Sequence, residues 1–225
     1  MSGRAEILAG LKKSLASTGE AETARKDAVA ARLKDAPTGI IPARGQLPAD
    51  ELVALFTRMA ESVQTSVERV RSRDEAPAAI TRLLAQRNLP AVVRIGEDQE
   101  LAAMPWQAYP ALEVRHGPSD GKDAVAVSRA IGAIAETGTL VLTSGADNPT
   151  TLNFLPELHI IVLSLKDLHG DMETIWRNVR ETYGMARMPR VVNMVTGPSR
   201  SADIEQTLIL GAHGPRALHV IIVEN

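Results

Sequence analysis

The sequence predicts an α/β fold built around a largely parallel sheet that is covered by helices on both faces. From about residue 50 onward, strand-like apolar segments alternate with helical patterns, which is typical of βαβ units. The run Ile160–Leu163 is continuously apolar, as is usual for parallel strands that are buried on both faces. We therefore expect residues 50–225 to form one compact α/β domain.

Residues 1–49 are expected to precede this domain as a helical arm. Residues 4–16 predict an amphipathic helix, because four apolar residues recur at helical spacing: Ile7, Leu8, Leu11 and Leu15. Residues 17–36 are charged and rich in alanine, which indicates a loose second helix. Residues 37–50 contain three prolines and two glycines, which indicates an extended arm. Such an arm either packs on a partner or a second subunit, so that a homo-oligomer is possible, or forms a floppy terminus.

Within the α/β domain the predicted elements follow one another in a regular order. Helices are predicted in residues 51–62, 75–88, 98–104 and 171–184. Strands are predicted in residues 62–70, 90–96, 111–117, 137–145, 157–165 and 190–197. Residues 121–136 predict a short strand and a helical turn. Residues 207–225 predict two strands around the turn 211–215, a candidate antiparallel edge.

Composition excludes several classes of function. A net charge of −2, a pI of about 6.2 and 3% aromatic residues argue against a nucleic-acid-binding protein. The chain has no cysteine, so it forms no disulfide and no cysteine-ligated iron–sulfur cluster of its own. Its five histidines show no HxxxH or HExxH spacing, so no metal site is expected. No apolar run is long enough to cross a membrane and the start lacks an apolar signal core, so we expect a cytoplasmic protein without membrane insertion.

An acid, two hydroxyls and a glycine stand at the mouth of the predicted strand 137–145: Glu136, Thr137, Gly138 and Thr139. A buried carboxylate is costly unless it is hydrogen-bonded or needed for function. Glu136 is therefore a candidate general base, nucleophile or ligand acceptor, and Gly138 would let a substrate approach the backbone. The alternative is that Glu136 binds backbone N–H groups of a turn and that the threonines begin a strand.

A second candidate is the turn that begins at Gly197 and continues through Ser199 and Arg200. Its backbone N–H groups, hydroxyls and guanidinium suit a carboxylate or a phosphate. Asp203 and Glu205 follow, either as further substrate contacts or as ion-pair partners of Arg200 in a plain polar turn. The sequence has neither a Walker loop nor a GxGxxG motif here.

His213, in a glycine-proline turn, is a third candidate, either as a proton shuttle and anion ligand or as an exposed turn histidine. Ligands of open α/β sheets bind outside the carboxyl ends of the strands. This rule selects the loops after residues 142 and 195 and the turn 211–216. Glu136 lies at the opposite end of its own strand.

Three motifs resemble the signature of the LUD-domain family: IAETGTLVL (134–142), LPELHIIVL (155–163) and the segment 195–223, which begins VTGPSRSADIEQ. The resemblance is strongest over about residues 120–225, and within the family it points to the C components of bacterial lactate-utilisation (Lut) systems. It implies a Rossmann-like αβα sandwich similar to the NagB/RpiA/CoA-transferase superfamily. It also implies a part in the oxidation of L-lactate to pyruvate, together with two iron–sulfur Lut-type partner proteins that carry the clusters.

The superfamily also suggests a role for Glu136. Class I CoA transferases carry a catalytic glutamate in a Ser-Glu-Asn-Gly stretch, which Ala135–Gly138 resembles, with Thr137 in place of the asparagine.

Three hypotheses remain open. In the first, a complex subunit without a cofactor of its own binds a small organic acid through Arg200, and Glu136 or His213 contacts its hydroxyl. In the second, the chain is a stand-alone enzyme of the CoA-transferase or sugar-phosphate-isomerase type that uses Glu136. In the third, it is a non-catalytic interaction protein.

Overall fold

The computed structural model describes residues 3–15, 19–184, 187–202 and 208–225. The chain divides into two compact units, residues 1–39 and residues 40–225. The first unit holds two helices, α1 (Gly3–Leu15) and α2 (Gly19–Asp35), as the helical patterns predict. No residue of α1 is buried, and its four apolar residues are exposed.

The second unit holds the remaining helices and all the strands of the described chain. The helices are α3 (Ala49–Ser62), α4 (Ala76–Gln86), α5 (Gln99–Ala102), α6 (Thr150–Phe154) and α7 (Met172–Tyr183), with single 3₁₀ turns at Ala43–Gly45, Arg73–Glu75, Trp106–Ala108 and Leu165–Asp167. The strands are β1 (Thr65–Val70), β2 (Val92–Ile95), β3 (Glu113–His116), β4 (Val125–Arg129), β5 (Gly132–Ile134), β6 (Thr139–Thr143), β7 (Leu158–Ser164), β8 (Leu168–His169), β9 (Val192–Val195), β10 (Arg200–Ala202), β11 (Leu208–Leu210) and β12 (Ala217–Val223).

The main sheet has six parallel strands in the order β1-β12-β7-β4-β2-β3. Its central strands β7 and β12 are the apolar runs of the sequence, and every residue of β7 up to Leu163 is buried. The predicted α/β class with a mainly parallel sheet is confirmed.

Successive residues of the central strands supply two different cores. Ile160 and Val162 pack with α4 on one face of the sheet. Ile161 and Leu163 pack with α3 on the other face. This period of two is the pleat of a strand that is covered on both sides.

A second sheet of four strands, in the order β8-β5-β6-β9, packs beside α3. Its other side contacts α7 through Ile134, Val141, Ile175 and Val179. The predicted helical turn before Glu136 is wrong, because residues 132–134 form strand β5, which pairs antiparallel with β6. The alanines, isoleucines and glycine of AIGAIA (130–135) fit a helix and a strand equally well, and the pairing with β6 decides for the strand.

The predicted antiparallel edge at the end of the chain is also wrong. β11 pairs with β10, whereas β12 lies inside the parallel sheet between β1 and β7. An apolar seven-residue strand buries far more surface in the centre of a sheet than at its edge.

The loops that were expected at the carboxyl ends of parallel strands lie elsewhere. β6 and β9 belong to the antiparallel pairs of the second sheet, so the loops after residues 142 and 195 do not extend strands of the main sheet. The turn 211–216 comes directly before β12 and therefore borders its amino end. In the described part of the chain, no helix is long and apolar enough to cross a membrane.

Candidate functional site

Glu136 lies in the turn that joins β5 to β6, and main-chain hydrogen bonds fix its position. Ala135 N donates to His169 O over 2.8 Å, and Glu136 N donates to Gly170 O over 3.2 Å, so the pairing of β5 with β8 continues into the turn. Burial lowers the pKa of the neighbouring His169, whose Nε2 lies 2.9 Å from Asn178 Nδ2. The turn is thus held by backbone contacts that leave the Glu136 side chain free to point elsewhere.

The side chain of Glu136 forms an ion pair with Arg44, which comes from the proline-flanked segment of residues 40–48, here called the strap. Arg44 Nε donates to Glu136 Oε2 over 3.3 Å. The two side chains differ in exposure, 8% for Glu136 and 65% for Arg44. The carboxylate is therefore buried under an arginine that still faces solvent. The positive charge of this arginine offsets the free-energy cost of burying the carboxylate.

Backbone packing holds the strap in place. A Cβ atom on Gly170 would lie 1.7 Å from Gly45 O, so only glycine allows the two chains to approach this closely. Gln46 Nε2 also donates to Ile41 O over 2.8 Å, which closes the strap on itself. The close packing of Gly45 against Gly170 therefore fixes the position of Arg44, the residue just before it.

Gly138 makes a close contact with helix α3. Its φ is +66°, and a Cβ atom there would lie 2.6 Å from Ala60 N. Packing against the last turns of α3 thus accounts for this glycine, and its predicted contact with a substrate stays a prediction.

The threonines form a short chain of hydroxyls. The Oγ1 atoms of Thr137 and Thr139 lie 2.7 Å apart, and Thr139 Oγ1 lies 2.7 Å from Thr196 Oγ1. The antiparallel pairing of β6 with β9 places Thr139 beside Thr196. The hairpin turn and the Gly197 turn, which the sequence separates widely, therefore lie side by side.

Arg200 binds the end of α3. Its Nη2 donates to Val63 O over 2.5 Å, and a Cβ atom on Gly197, whose φ is +81°, would lie 2.7 Å from the same oxygen. One terminal nitrogen of Arg200 is thus used by the backbone. The predicted partners Asp203 and Glu205 lie outside the described residues.

Ser199 and His213 lie in turns that contact each other. Ser199 N donates to Pro215 O over 2.9 Å, and Gly211 N donates to Ser199 O over 3.0 Å. His213 is exposed. Within the described ranges, no hydrogen bond or ion pair joins Ser199 or His213 to Glu136, so their shared role with Glu136 stays a prediction.

Two contributors to this region escaped the sequence analysis, Arg44 and Thr196. The prolines on either side of Arg44 suggested an arm but no target, since its contact with Glu136 spans 92 positions. Thr196 is one residue before the predicted turn, and only the strand register shows its contact with Thr139.

The chemistry of the pair follows from its unused atoms. Among the described residues, Glu136 Oε1 and the two terminal nitrogens of Arg44 make no hydrogen bond. A guanidinium with both terminal nitrogens available can bind a carboxylate in a bidentate manner, and a free carboxylate oxygen can accept a hydroxyl proton. In the described part of the chain, no group of three or more His, Asp or Glu side chains could hold a metal ion.

Comparisons with known proteins agree with the motifs. The LUD domain family matches residues 122–223. A protein of Shouchella clausii named lactate utilization protein C is 35% identical over 92 residues, which are 41% of this chain and 40% of that protein. The chain thus aligns with about two fifths of that relative's length. A protein of the same name from Oceanobacillus iheyensis is 26% identical over 191 residues, which cover 78% of this chain and 81% of the relative.

A solved structure supports the fold. The crystal structure of a DUF162 family protein from Deinococcus radiodurans superposes with a TM-score of 0.55 and 23% identity, over 79% of this chain and 99% of that one. The motifs, the family match and the shared fold agree: residues 122–223 of the chain match the LUD domain family, and the fold is that of a DUF162 family protein.

Proposed function

We propose that this LUD-domain protein takes part in lactate utilisation and that it binds a small 2-hydroxy or 2-keto acid at Glu136 and Arg44. The names of its relatives support the first part. The second part rests on one observation: the buried carboxylate of Glu136 uses only one of its two oxygens to bind the exposed Arg44.

The proposed ligand would use the atoms that the pair leaves free. The carboxylate of the acid binds the terminal nitrogens of Arg44, and its 2-hydroxyl donates to Glu136. This changes the expected role of Arg200, because one of its terminal nitrogens already donates to Val63 O. Arg44 replaces it as the residue that binds the carboxylate.

The proposed reaction is the oxidation of L-lactate to pyruvate by a complex that includes this chain. The oxidation removes two electrons and two protons from the substrate. Glu136 would take the hydroxyl proton, and the second proton, from C2, would pass to solvent. The iron–sulfur clusters of two partner proteins would supply the oxidant for both electrons. A chain without cysteine fits such a division of labour, since the usual cluster ligands are absent from it.

A second candidate function is assembly. Helix α1 has 13 residues, none of them buried, and a helix of this length is marginal in water on its own. Its exposed apolar residues favour an interaction role for the first unit, whether or not the second unit binds a ligand.

Growth on L-lactate as sole carbon source tests the proposal. A strain that lacks this gene and other lactate dehydrogenases is complemented with wild type, Glu136→Gln or Arg44→Met. Glu61→Gln and Arg58→Met on the exposed face of α3 serve as matched controls, with growth on glucose and protein level checked.

We expect wild type and both controls to restore growth and both site variants to fail. Rescue by all variants would leave assembly as the function. Normal growth of the deletion strain would contradict the lactate assignment. Turnover of a CoA thioester or a sugar phosphate by the isolated chain would favour the stand-alone enzyme.

A further inference from the structure

A cleft lies at the carboxyl edge of the main sheet, and its lining includes neither Glu136 nor Arg44. Residues at or just after the ends of β1, β4 and β7 border it, and its volume is about 30 Å³. Its polar residues are Arg73, Glu100, Arg129, Ser164, Lys166 and Asp167. This space suits the end group of a ligand, such as a carboxylate or a phosphate, better than a whole metabolite.

The cleft borders the point where the winding of the sheet reverses. From β2 the chain moves to β3 on one side, whereas from β4 it moves through β7 to β12 on the other. Ligands of open α/β sheets bind in the crevice at such a point, outside the carboxyl ends of the strands. The crevice between β2 and β4 is therefore where this fold offers a site.

An ion pair occupies that crevice. Arg129 ends β4, and Asp98 follows β2; Arg129 Nε donates to Asp98 Oδ2 over 2.9 Å. Asp98 is almost fully buried, and its other oxygen accepts from Leu101 N at the start of α5. Both oxygens of Asp98 are thus used, and the arginine is held in one orientation.

The cations of the cleft are only partly neutralised. Arg73 pairs with Glu100 over 2.5 Å. In the part of the chain that the structure describes, the terminal nitrogens of Arg129 make no hydrogen bond and the ammonium of Lys166 has no partner. The terminal nitrogens of Arg129 and the ammonium of Lys166 therefore border one small cleft, and neither donates a described hydrogen bond there.

Asp167 is the remaining acid of the cleft and is half-buried. Burial raises its pKa, Glu100 acts in the same direction, and Lys166, Arg129 and His169 oppose the shift. A carboxyl group that protonates more readily opposes an incoming anion less and, when neutral, can donate a hydrogen bond to it.

We propose that Arg129 and Lys166 bind the oxyanion group, a carboxylate or a phosphate, of a small-molecule ligand at the carboxyl edge of the main sheet. Asp98 positions the guanidinium, and Lys166 adds the second charge. Among the described residues no hydrogen bond or ion pair joins this site to Glu136 or Arg44, and its proposal does not depend on lactate.

Calorimetric titration of the full chain with inorganic phosphate, and separately with acetate, tests the site. The decisive variant is Lys166→Met, since Lys166 is exposed and its loss breaks no described contact. Arg129→Lys keeps the charge beside Asp98 and removes the planar donor pair. Lys122→Met, an exposed lysine near the amino end of β4, is the matched control.

We expect saturable binding of at least one anion, weakened about tenfold or more in Lys166→Met and in Arg129→Lys, and unchanged in Lys122→Met. Tighter binding of phosphate identifies a phosphate-bearing ligand, and tighter binding of acetate identifies a carboxylic acid. Failure of both anions to saturate the wild type, or equal weakening by Lys166→Met and Lys122→Met, would overturn the proposal.

Discussion

Two of the buried carboxylates of the second unit, Glu136 and Asp98, each pair with an arginine, yet they differ in what they leave available. Asp98 uses both oxygens, one for Arg129 and one for the backbone of α5. Glu136 uses one oxygen for Arg44, and its other oxygen has no partner within the described ranges. Asp98 can therefore only orient a cation, whereas Glu136 can also accept a proton from a ligand.

The arginines differ in a parallel way. Arg129 is a residue of the main sheet and is partly buried, whereas Arg44 belongs to the strap and is mostly exposed. A pair that is built into the sheet contributes to the stability of the fold, and a pair that closes over a turn can be opened by a ligand.

Removing the two carboxylates one at a time should give the largest difference in the free energy of unfolding. Asp98→Ala leaves Arg129 unpaired and removes the cap of α5, so we expect the free energy of unfolding to fall by about 3 kcal/mol. Glu136→Gln keeps a hydrogen-bond acceptor for Arg44, so its loss should stay below about 1 kcal/mol. Urea denaturation of both variants measures this, and equal losses would remove the distinction.

Displacing the strap tests whether backbone packing positions Arg44. In Gly170→Ala the new methyl group collides with Gly45 O, so we expect a loss of about 2 kcal/mol and growth on L-lactate as poor as with Arg44→Met. Gly10→Ala is the control, since Gly10 lies in helix α1, has no positive φ and has open space around its Cα. Gly170→Ala that grows normally would show that the strap does not place a functional arginine.

The stability of the fold in acid tests the burial of two histidines in the main sheet. Burial lowers the pKa of His159 to about 3, and burial with Arg87 and Arg82 lowers that of His219 to about 4. Glu68 lies 3.9 Å from His219 Nε2, but burial outweighs its attraction. Both histidines stay neutral in the fold and take up protons more readily when the chain unfolds.

The free energy of unfolding should therefore fall as the pH drops from 6.5 towards 4, by about 1.4 kcal/mol per pH unit for each histidine. Urea midpoints measured across this range check the slope. His159→Gln should reduce it, and His116→Gln, an exposed histidine, should not. A slope that is unchanged in His159→Gln would contradict the assignment to the sheet.

The smallest effect concerns the hydroxyl chain beside Glu136. Thr139→Val keeps the shape of the side chain and removes the contacts with Thr137 and Thr196, so we expect a loss of about 1 kcal/mol. Thr143→Val, which removes the hydrogen bond from Tyr183 on the same strand, serves for comparison. No loss in Thr139→Val would mean that the chain of hydroxyls does not join the two turns.

The parts of the fold that the sequence predicts are those with strong local patterns. β7 and α7 are long, and their apolar periodicities distinguish a strand from a helix, so both were predicted nearly at their bounds. β5 has only three residues and becomes a strand only by pairing with β6 and β8. A segment of three residues carries no information about the strands with which it pairs.

The candidate site shows the same limit. Glu136 stood out because an acid before an apolar strand is unusual. Nothing in the sequence around Arg44 indicated a site, since its role depends on a contact with a residue 92 positions away. The ion pair of Arg129 and Asp98 likewise cannot be predicted until the order of the strands is known.

Calorimetry that compares the binding of L-lactate and of propionate, which lacks the hydroxyl, to wild type and Glu136→Gln tests the role of Glu136 directly. We predict that wild type prefers L-lactate by about tenfold or more, that Glu136→Gln loses this preference, and that Arg44→Met binds neither acid. Equal affinity of the wild type for the two acids, or a preference that survives in Glu136→Gln, would contradict a role for Glu136 in recognising the hydroxyl.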